Sequence, residues 1–265
     1  MRGSQKSLSR VFQSFRYSCK PFYRRCALRR ANRPIYSSAN IPTIDSRIMV
    51  SHKHQYLFVR VPKCANTTIL NTLWILEDDT LPEEAEKMSP ESRQYLMRKQ
   101  DMKKIFTTPS RLKKQEVDIV FGNYTKAIFV RNPFNRLASA YLYSIKDKEK
   151  SYRYGLTPNT SFAGFCDYLN DGGLYADIHW IPQSDICPLE PQQMDFIGYF
   201  ETLSIDIRRL TSQLYNRSGK MAIRQHHKTS ADCYVEELYT NRERRLVAET
   251  LYPNDFCFGY SPEVF

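Results

Sequence analysis

Two segments of this chain repeat one construction. QYLFVRVPKCANTTILNTLW spans residues 55–74 and KAIFVRNPFNRLASAYLYSI spans residues 126–145. Each reads as a short apolar, β-rich run, then a polar break, then apolar positions at helical spacing. Runs of that kind form strands of a parallel sheet covered on both faces. The break between strand end and helix start gathers backbone N–H groups at the positive end of the helix dipole, where anions bind. Built twice, the pattern predicts an α/β fold and a nucleotide carrying phosphates at both ends.

In the first segment, Tyr56, Leu57, Phe58, Val59 and Val61 supply the strand. Pro62 has no N–H to continue a ladder and ends it. Thr67 and Thr68 open a helix with Ile69, Leu70, Leu73 and Trp74 on its apolar stripe. Lys63, Cys64, Ala65 and Asn66 then fall in the turn. Lys63 offers a mobile point charge, and Thr67 and Thr68 offer hydroxyl donors. The GxxxxGK[ST] order is absent, and the lysine precedes the turn instead of ending it. The turn lacks glycine, so it relies on asparagine, which tolerates φ > 0 better than most residues. A plain strand–loop–helix with a surface lysine satisfies the same residues.

In the second segment, Ala127 to Val130 form the strand. Asn132 is an N-cap and Pro133 fits the first helical position. Leu137, Ala138, Tyr141, Leu142 and Ile145 make the stripe. Arg131 stands at the strand's carboxyl end, where parallel sheets bind ligands. Its guanidinium suits a bidentate phosphate contact, and Ser139, two turns into the helix, adds a neutral donor. Arg136 is expected to bond locally and hold the turn.

VPKCANTT resembles the 5′-phosphosulfate loop of the carbohydrate sulfotransferases grouped as sulfotransferase family 2, usually written PKxGxT or PKCAST. FVRNPFNRLASAY resembles that family's 3′-phosphate segment, FVRxPFxRLxSAY. HWIPQSDICPLEPQQMDFIGYFETL, residues 179–203, and the end of the chain, residues 226–260, are similar to its later blocks. The resemblance implies a three-layer, P-loop-like fold, with helices flanking a central parallel sheet of four or five strands. Strands 55–61 and 126–130 would be neighbours, and Asp195–Gly198 a third strand. It implies 3′-phosphoadenosine-5′-phosphosulfate (PAPS) as sulfuryl donor, a carbohydrate hydroxyl as acceptor, and no metal. Pro62, Lys63, Cys64, Ala65, Asn66, Thr67 and Thr68 would hold the 5′-phosphosulfate, with Lys63 neutralising the leaving phosphate. Arg131 and Ser139 would hold the 3′-phosphate. Lys228, Thr229 and Ser230 either close over the nucleotide or cap a helix at Ser230. Two other readings stand: a nucleotide-binding module of this fold without catalysis, and a phosphotransferase.

Sulfuryl transfer needs a base for the acceptor hydroxyl, and histidine is the natural one at neutral pH. His52 and His54 precede the first strand, at its wrong end. His226 and His227 look like surface residues. His179 in the HWIPQ block is the candidate, against the reading that it packs and hydrogen-bonds a loop. Asp118 and Glu116 are the fallback carboxylates.

The chain has 265 residues and a formal charge of +11. Residues 1–44 hold ten Lys/Arg and no acid, which leaves +1 for the rest. The basicity thus belongs to an arm, residues 1–47, expected to be disordered and able to touch a membrane surface, and residues 48–265 form one catalytic domain. No basic helix with interleaved aromatics marks a specific nucleic-acid partner. No run of 18 apolar residues marks a membrane anchor. The seven cysteines show no CxxC or metal spacing. Asn66 heads an N-x-T sequon inside the phosphate turn, where a glycan would not fit. A cytoplasmic enzyme is expected on these grounds. The alternatives are the Golgi lumen, for a truncated anchored enzyme, and an organelle, if residues 1–44 are a transit peptide. Residues 77–118 read as solvated helices beside the acceptor cleft, and residues 146–160 as a polar loop.

Overall fold

The computed structural model describes residues 41–77, 105–145, 148–215 and 231–263. Four strands form one sheet: β1, Ile48–Ser51; β2, Tyr56–Val59; β3, Thr125–Val130; and β4, Phe196–Tyr199. Their order across the sheet is their order in the chain. β2, β3 and β4 run parallel, and β1 pairs antiparallel with β2. The longer helices are α1, Asn66–Glu77; α2, Lys114–Asn123; α3, Pro133–Ile145; and α4, Phe162–Asn170. They are followed by α5, Leu203–Tyr215; α6, Ala231–Leu238; and α7, Asn241–Leu246.

Strand alternation divides the core in two. Leu57, Val59, Ile128 and Val130 face Val117 and Val120 of α2, together with Ile181 and Ile186. Tyr56, Phe58, Ala127, Phe129 and Phe196 face Ile69, Leu70 and Leu73 of α1 and Leu203, Ile207 and Leu210 of α5. Both faces of the sheet are covered, which gives three layers and explains why the strands read as unbroken apolar runs. A further cluster lies where α3 leaves the sheet. It joins Phe134, Leu137 and Tyr141 to Phe165, Trp180 and Tyr252.

The expected strands and their neighbour relation are present, with three corrections. First, the sheet is not wholly parallel. His52 and His54 lie in a tight turn between β1 and β2, with Gln55 at φ 53°. A turn that short can join only antiparallel strands. Second, the solvated helices expected over 77–118 are only partly so. Residues 78–104 lie outside the described residues, but α2 buries Val117 and Val120. Third, part of the loop expected over 146–160 is helical, at Lys148–Arg153. Of the expected arm, residues 1–40 lie outside the described residues, while Ile41 and Ile44 are buried in the core. Among the described residues no helix is long and apolar enough to cross a membrane.

Gly198 shows how tightly the sheet is packed. A Cβ at that position would stand 2.6 Å from the Phe129 ring, whose neighbours Phe58 and Phe196 lie at ring-centroid distances of 6.4 and 5.9 Å. The ring has no room to withdraw. Gly198→Ala is expected to lower stability by about 1–3 kcal/mol through overpacking, measured by chemical denaturation.

Candidate functional site

β2 and β3 are parallel neighbours, so the segments after Val59 and Val130 leave the same edge of the sheet side by side. In the first, Lys63 and Ala65 take positive φ, 69° and 54°. This corrects the expectation that Asn66 would carry the left-handed conformation, since Asn66 is the first residue of α1. Ala65 caps the helix instead, its carbonyl accepting from the Ile69 N–H at 3.1 Å. The first N–H groups of α1 have no carbonyl one turn back and point toward the loop. Thr68 is buried and Thr67 exposed. Cys64 is buried, and its thiol donates to Gln183 Oε1 at 3.7 Å. Burial pushes that thiol up to about 12 against the pull of Arg136 and Arg131, which makes it a packed spectator.

In the second segment, the Arg131 guanidinium donates through Nη1 to the Lys63 carbonyl at 3.3 Å and lies over the Phe200 ring, 3.9 Å from its centroid. The two predicted loops therefore touch. Asn132 caps α3 as expected, its Oδ1 accepting from the Phe134 N–H at 3.0 Å. Glu201 ties the cap down by accepting from the Asn132 N–H and from the Tyr260 hydroxyl, both at 2.8 Å. Arg136, Ser139 and Tyr143 follow at helical spacing on one face of α3. That face meets the first loop. Arg136 Nε donates to the Pro62 carbonyl at 3.1 Å, and the Lys63 ammonium lies 4.1 Å above the Tyr143 ring.

The HWIPQ block closes the third side. Arg136 also donates through Nη2 to the His179 carbonyl at 3.4 Å, and the His179 ring lies 5.0 Å from that of Tyr143. Lys63, Tyr143 and His179 thus stand in a row. Asp177 fixes the histidine. Its Oδ1 accepts from the His179 N–H at 2.8 Å and lies 2.5 Å from Nδ1, while its Oδ2 accepts from the Tyr154 hydroxyl. Burial works to raise this carboxyl, but the hydrogen bonds from His179 and Tyr154 win and hold it down to about 2. An ionised carboxylate only accepts, so Nδ1 carries the proton and Nε2 is left as the basic nitrogen.

The structure brings Pro62, Lys63, Cys64, Ala65, Asn66, Arg131, Ser139 and His179 to one edge of the sheet. His52 does not join them; it meets the Tyr124 hydroxyl beside the β1–β2 turn. Glu116 is engaged at the start of α2, accepting from the Lys113 N–H at 2.6 Å, and Asp118 is exposed on that helix. His226, His227, Lys228, Thr229 and Ser230 lie outside the described residues. Sequence reasoning missed Tyr143, Asp177 and Gln183. Only Gln183 had a signal, as the last letter of HWIPQ.

A phosphorylated ligand fits this edge. Ser139 Oγ, Arg136 Nη1 and Asn66 Oδ1 are buried and have no hydrogen-bond partner among the described residues. Buried polar groups are ordinarily satisfied, and here two of the three are donors beside a loop of helix-start N–H groups.

Ala65 holds a conformation that disfavours any residue with a Cβ by roughly 1–2 kcal/mol. Glycine removes that strain and gives back about 0.4–1 kcal/mol through unfolded-chain entropy. Ala65→Gly is therefore expected to melt at the same or a higher temperature than wild type. A clear drop would mean that the packing of the Ala65 methyl outweighs the strain.

Comparison with known proteins follows this geometry. The chain is 27% identical to carbohydrate sulfotransferase 9 of Homo sapiens over 251 residues, covering 82% of this chain and 53% of that protein. It is 28% identical to carbohydrate sulfotransferase 10 of Xenopus laevis over 261 residues, covering 83% and 68%. A shorter match, 26% identical over 185 residues, is to carbohydrate sulfotransferase 14 of Mus musculus, covering 63% and 46%. The chain spans about half the length of the human relative. No solved structure matches it. The expected cytoplasmic location is overturned by these relatives, which are Golgi carbohydrate sulfotransferases and point to the Golgi lumen. That expectation leaned on a missing apolar run, scattered cysteines and a sequon in the first loop, none of which fixes a compartment. The sulfotransferase family model matches residues 46–261, which take in both phosphate loops, the HWIPQ block and β4, and the chain belongs to that family.

Proposed function

We propose that the protein transfers a sulfuryl group from PAPS to a hydroxyl of a carbohydrate acceptor. The observation that carries this reading is the contact between the two loops, Arg131 guanidinium to Lys63 carbonyl, at the carboxyl ends of neighbouring parallel strands. It holds two cationic residues within one short span, which supports a ligand with phosphates at both ends. The family membership and the names of the relatives support the same assignment.

The donor supplies an activated sulfuryl group on its 5′-phosphate. Arg131 and Ser139 take the 3′-phosphate, with Ser139 Oγ as an uncommitted hydroxyl. The start of α1 and Lys63 take the 5′ end. Lys63 rests on Tyr143, a contact worth about 0.5–1 kcal/mol, which keeps its ammonium beside the loop. There it opposes the charge that grows on the leaving phosphate oxygen as the bond to sulfur breaks. His179, held by Asp177, receives the acceptor's hydroxyl proton on Nε2 as the new O–S bond forms.

Turnover of labelled PAPS on a panel of glycans tests the assignment. Transfer to none of them, with 3′-phosphoadenosine-5′-phosphate still bound, would leave a binding module. Binding of ATP in preference to that nucleotide would favour a phosphotransferase.

Arg131→Ala is expected to weaken nucleotide binding by about 2–3 kcal/mol, and Ser139→Ala by less. Both losses should vanish for a ligand lacking the 3′-phosphate, compared by calorimetry. An equal loss for both ligands would make Arg131 purely structural.

His179→Ala should cut turnover by roughly 10²–10⁴ while donor affinity and fold persist. Asp177→Asn should also slow turnover, because it releases the proton-bearing nitrogen. A His179 variant that folds, binds donor and turns over at the wild-type rate would remove it from the mechanism.

A further inference from the structure

Arg47 and Arg60 face each other across the hairpin at the edge of the sheet. The register pairs Ile48 with Val59, so the two arginines are opposite residues one step beyond the ladder. The Arg60 N–H donates to the Arg47 carbonyl at 2.8 Å. Opposite residues of an antiparallel pair project to the same side, with Cβ atoms about 4.5–5.5 Å apart.

Both side chains are partly buried, and both Nε atoms are fully covered without a hydrogen-bond partner. Neither guanidinium forms an ion pair among the described residues. Burial lowers the Arg47 pKa, and Asp177 is the carboxylate whose field partly restores it. That carboxylate is already committed to His179 and Tyr154. Burial, and then repulsion from Arg47, pulls Arg60 down to about 10. Largely covered cations are ordinarily paired with an anion, and two adjacent ones with none among the described residues mark a site for it.

Their place narrows the ligand. Arg60 follows directly on β2, three residues before Lys63, and Arg47 lies within the field of Asp177, which holds His179. The pair thus sits at the edge of the sheet where the acceptor hydroxyl must arrive. Both ends of the donor already have their own cations in Lys63 and Arg131.

We propose that Arg47 and Arg60 form a subsite for an acidic group of the acceptor glycan, a carboxylate or a sulfate ester on a sugar next to the one that is modified. This rests on the sulfotransferase reading. Guanidinium forks suit either oxyanion.

The test uses the full chain, as wild type, Arg47→Gln, Arg60→Gln and Arg60→Lys. Calorimetry with saturating 3′-phosphoadenosine-5′-phosphate measures three oligosaccharides: a uronate-containing one, its carboxyl-reduced neutral form, and that neutral form bearing sulfate esters. Wild type should bind one or both acidic forms roughly tenfold or more tighter than the neutral form, and the form preferred identifies the oxyanion. The glutamine variants should lose most of that preference, and Arg60→Lys should keep part of it. Their affinity for the nucleotide should be unchanged, and their melting temperature equal or higher, since a repulsive charge is gone. Equal wild-type binding of acidic and neutral forms overturns the proposal, as does a loss of nucleotide affinity in the glutamine variants. If those variants fail to fold, the wild-type comparison decides alone. The readout needs no turnover, so a failure of the transferase assignment would show separately, as absent sulfuryl transfer.

Discussion

One buried carboxamide holds the two loops in register. Gln183 grips the backbone of Arg131 from both sides, accepting its N–H at 3.2 Å and donating to its carbonyl at 2.8 Å. The same side-chain oxygen accepts from the Cys64 thiol of the other loop. Asp255, fully buried near the end of the fold, accepts the N–H groups of Gln183 and Ser184 at 3.0 and 2.8 Å and so fixes the turn that carries the carboxamide. Without Gln183 two buried backbone groups of Arg131 would lose their partners, at a cost of about 1–3 kcal/mol each. The loops would then be free to part where the guanidinium of Arg131 must meet the Lys63 carbonyl.

Arg136 does the same work for the helix. It is completely buried, yet it spends two of its donors on backbone carbonyls of the first loop and the HWIPQ block. The sequence places it beside Arg131 in FVRNPFNR, and type alone does not say which arginine faces the ligand. Position does. Arg131 directly follows β3 and reaches across to the Lys63 carbonyl, whereas Arg136 lies within α3 and donates back to the Pro62 carbonyl.

The three parallel strands and the helices after the first two were legible because each depends on neighbours in sequence. Apolar runs of four or five residues, a proline that ends a ladder, and Asn132 before Pro133 are local signals. β1 was not legible. Its three apolar residues are followed by Ser51, two histidines and a lysine, which read as a boundary rather than a hairpin. The site divides along the same line. Lys63, Arg131 and Ser139 were named from motifs whose spacing is local. Gln183 binds partners 52 and 119 residues away, and Asp255 partners 71 and 72 residues away, so their role exists only after the sheet has formed. Tyr143 was hidden for another reason. It lies off the apolar stripe of α3 and matches no motif, yet it is 44% exposed, enough for Lys63 to rest on its face.

The same edge gathers several features that folds ordinarily avoid. Lys63 and Ala65 hold left-handed backbone without glycine, Ser139 and Arg136 carry buried donors without acceptors, and Arg47 and Arg60 stand charged side by side. Each is destabilising by itself, and strain and unmet polarity persist only where the surrounding structure overdetermines them. Here the overdetermination is visible: a sheet covered on both faces below, the Gln183–Asp255 brace to one side and Arg136 beneath the loop. The last two of these features, the buried donors and the arginine pair, have one sign: they present donors and positive charge without matching acceptors, so an anion entering this edge meets groups already oriented. Under the proposed function, that arrangement would let binding and charge stabilisation proceed with little reorganisation at the moment of transfer.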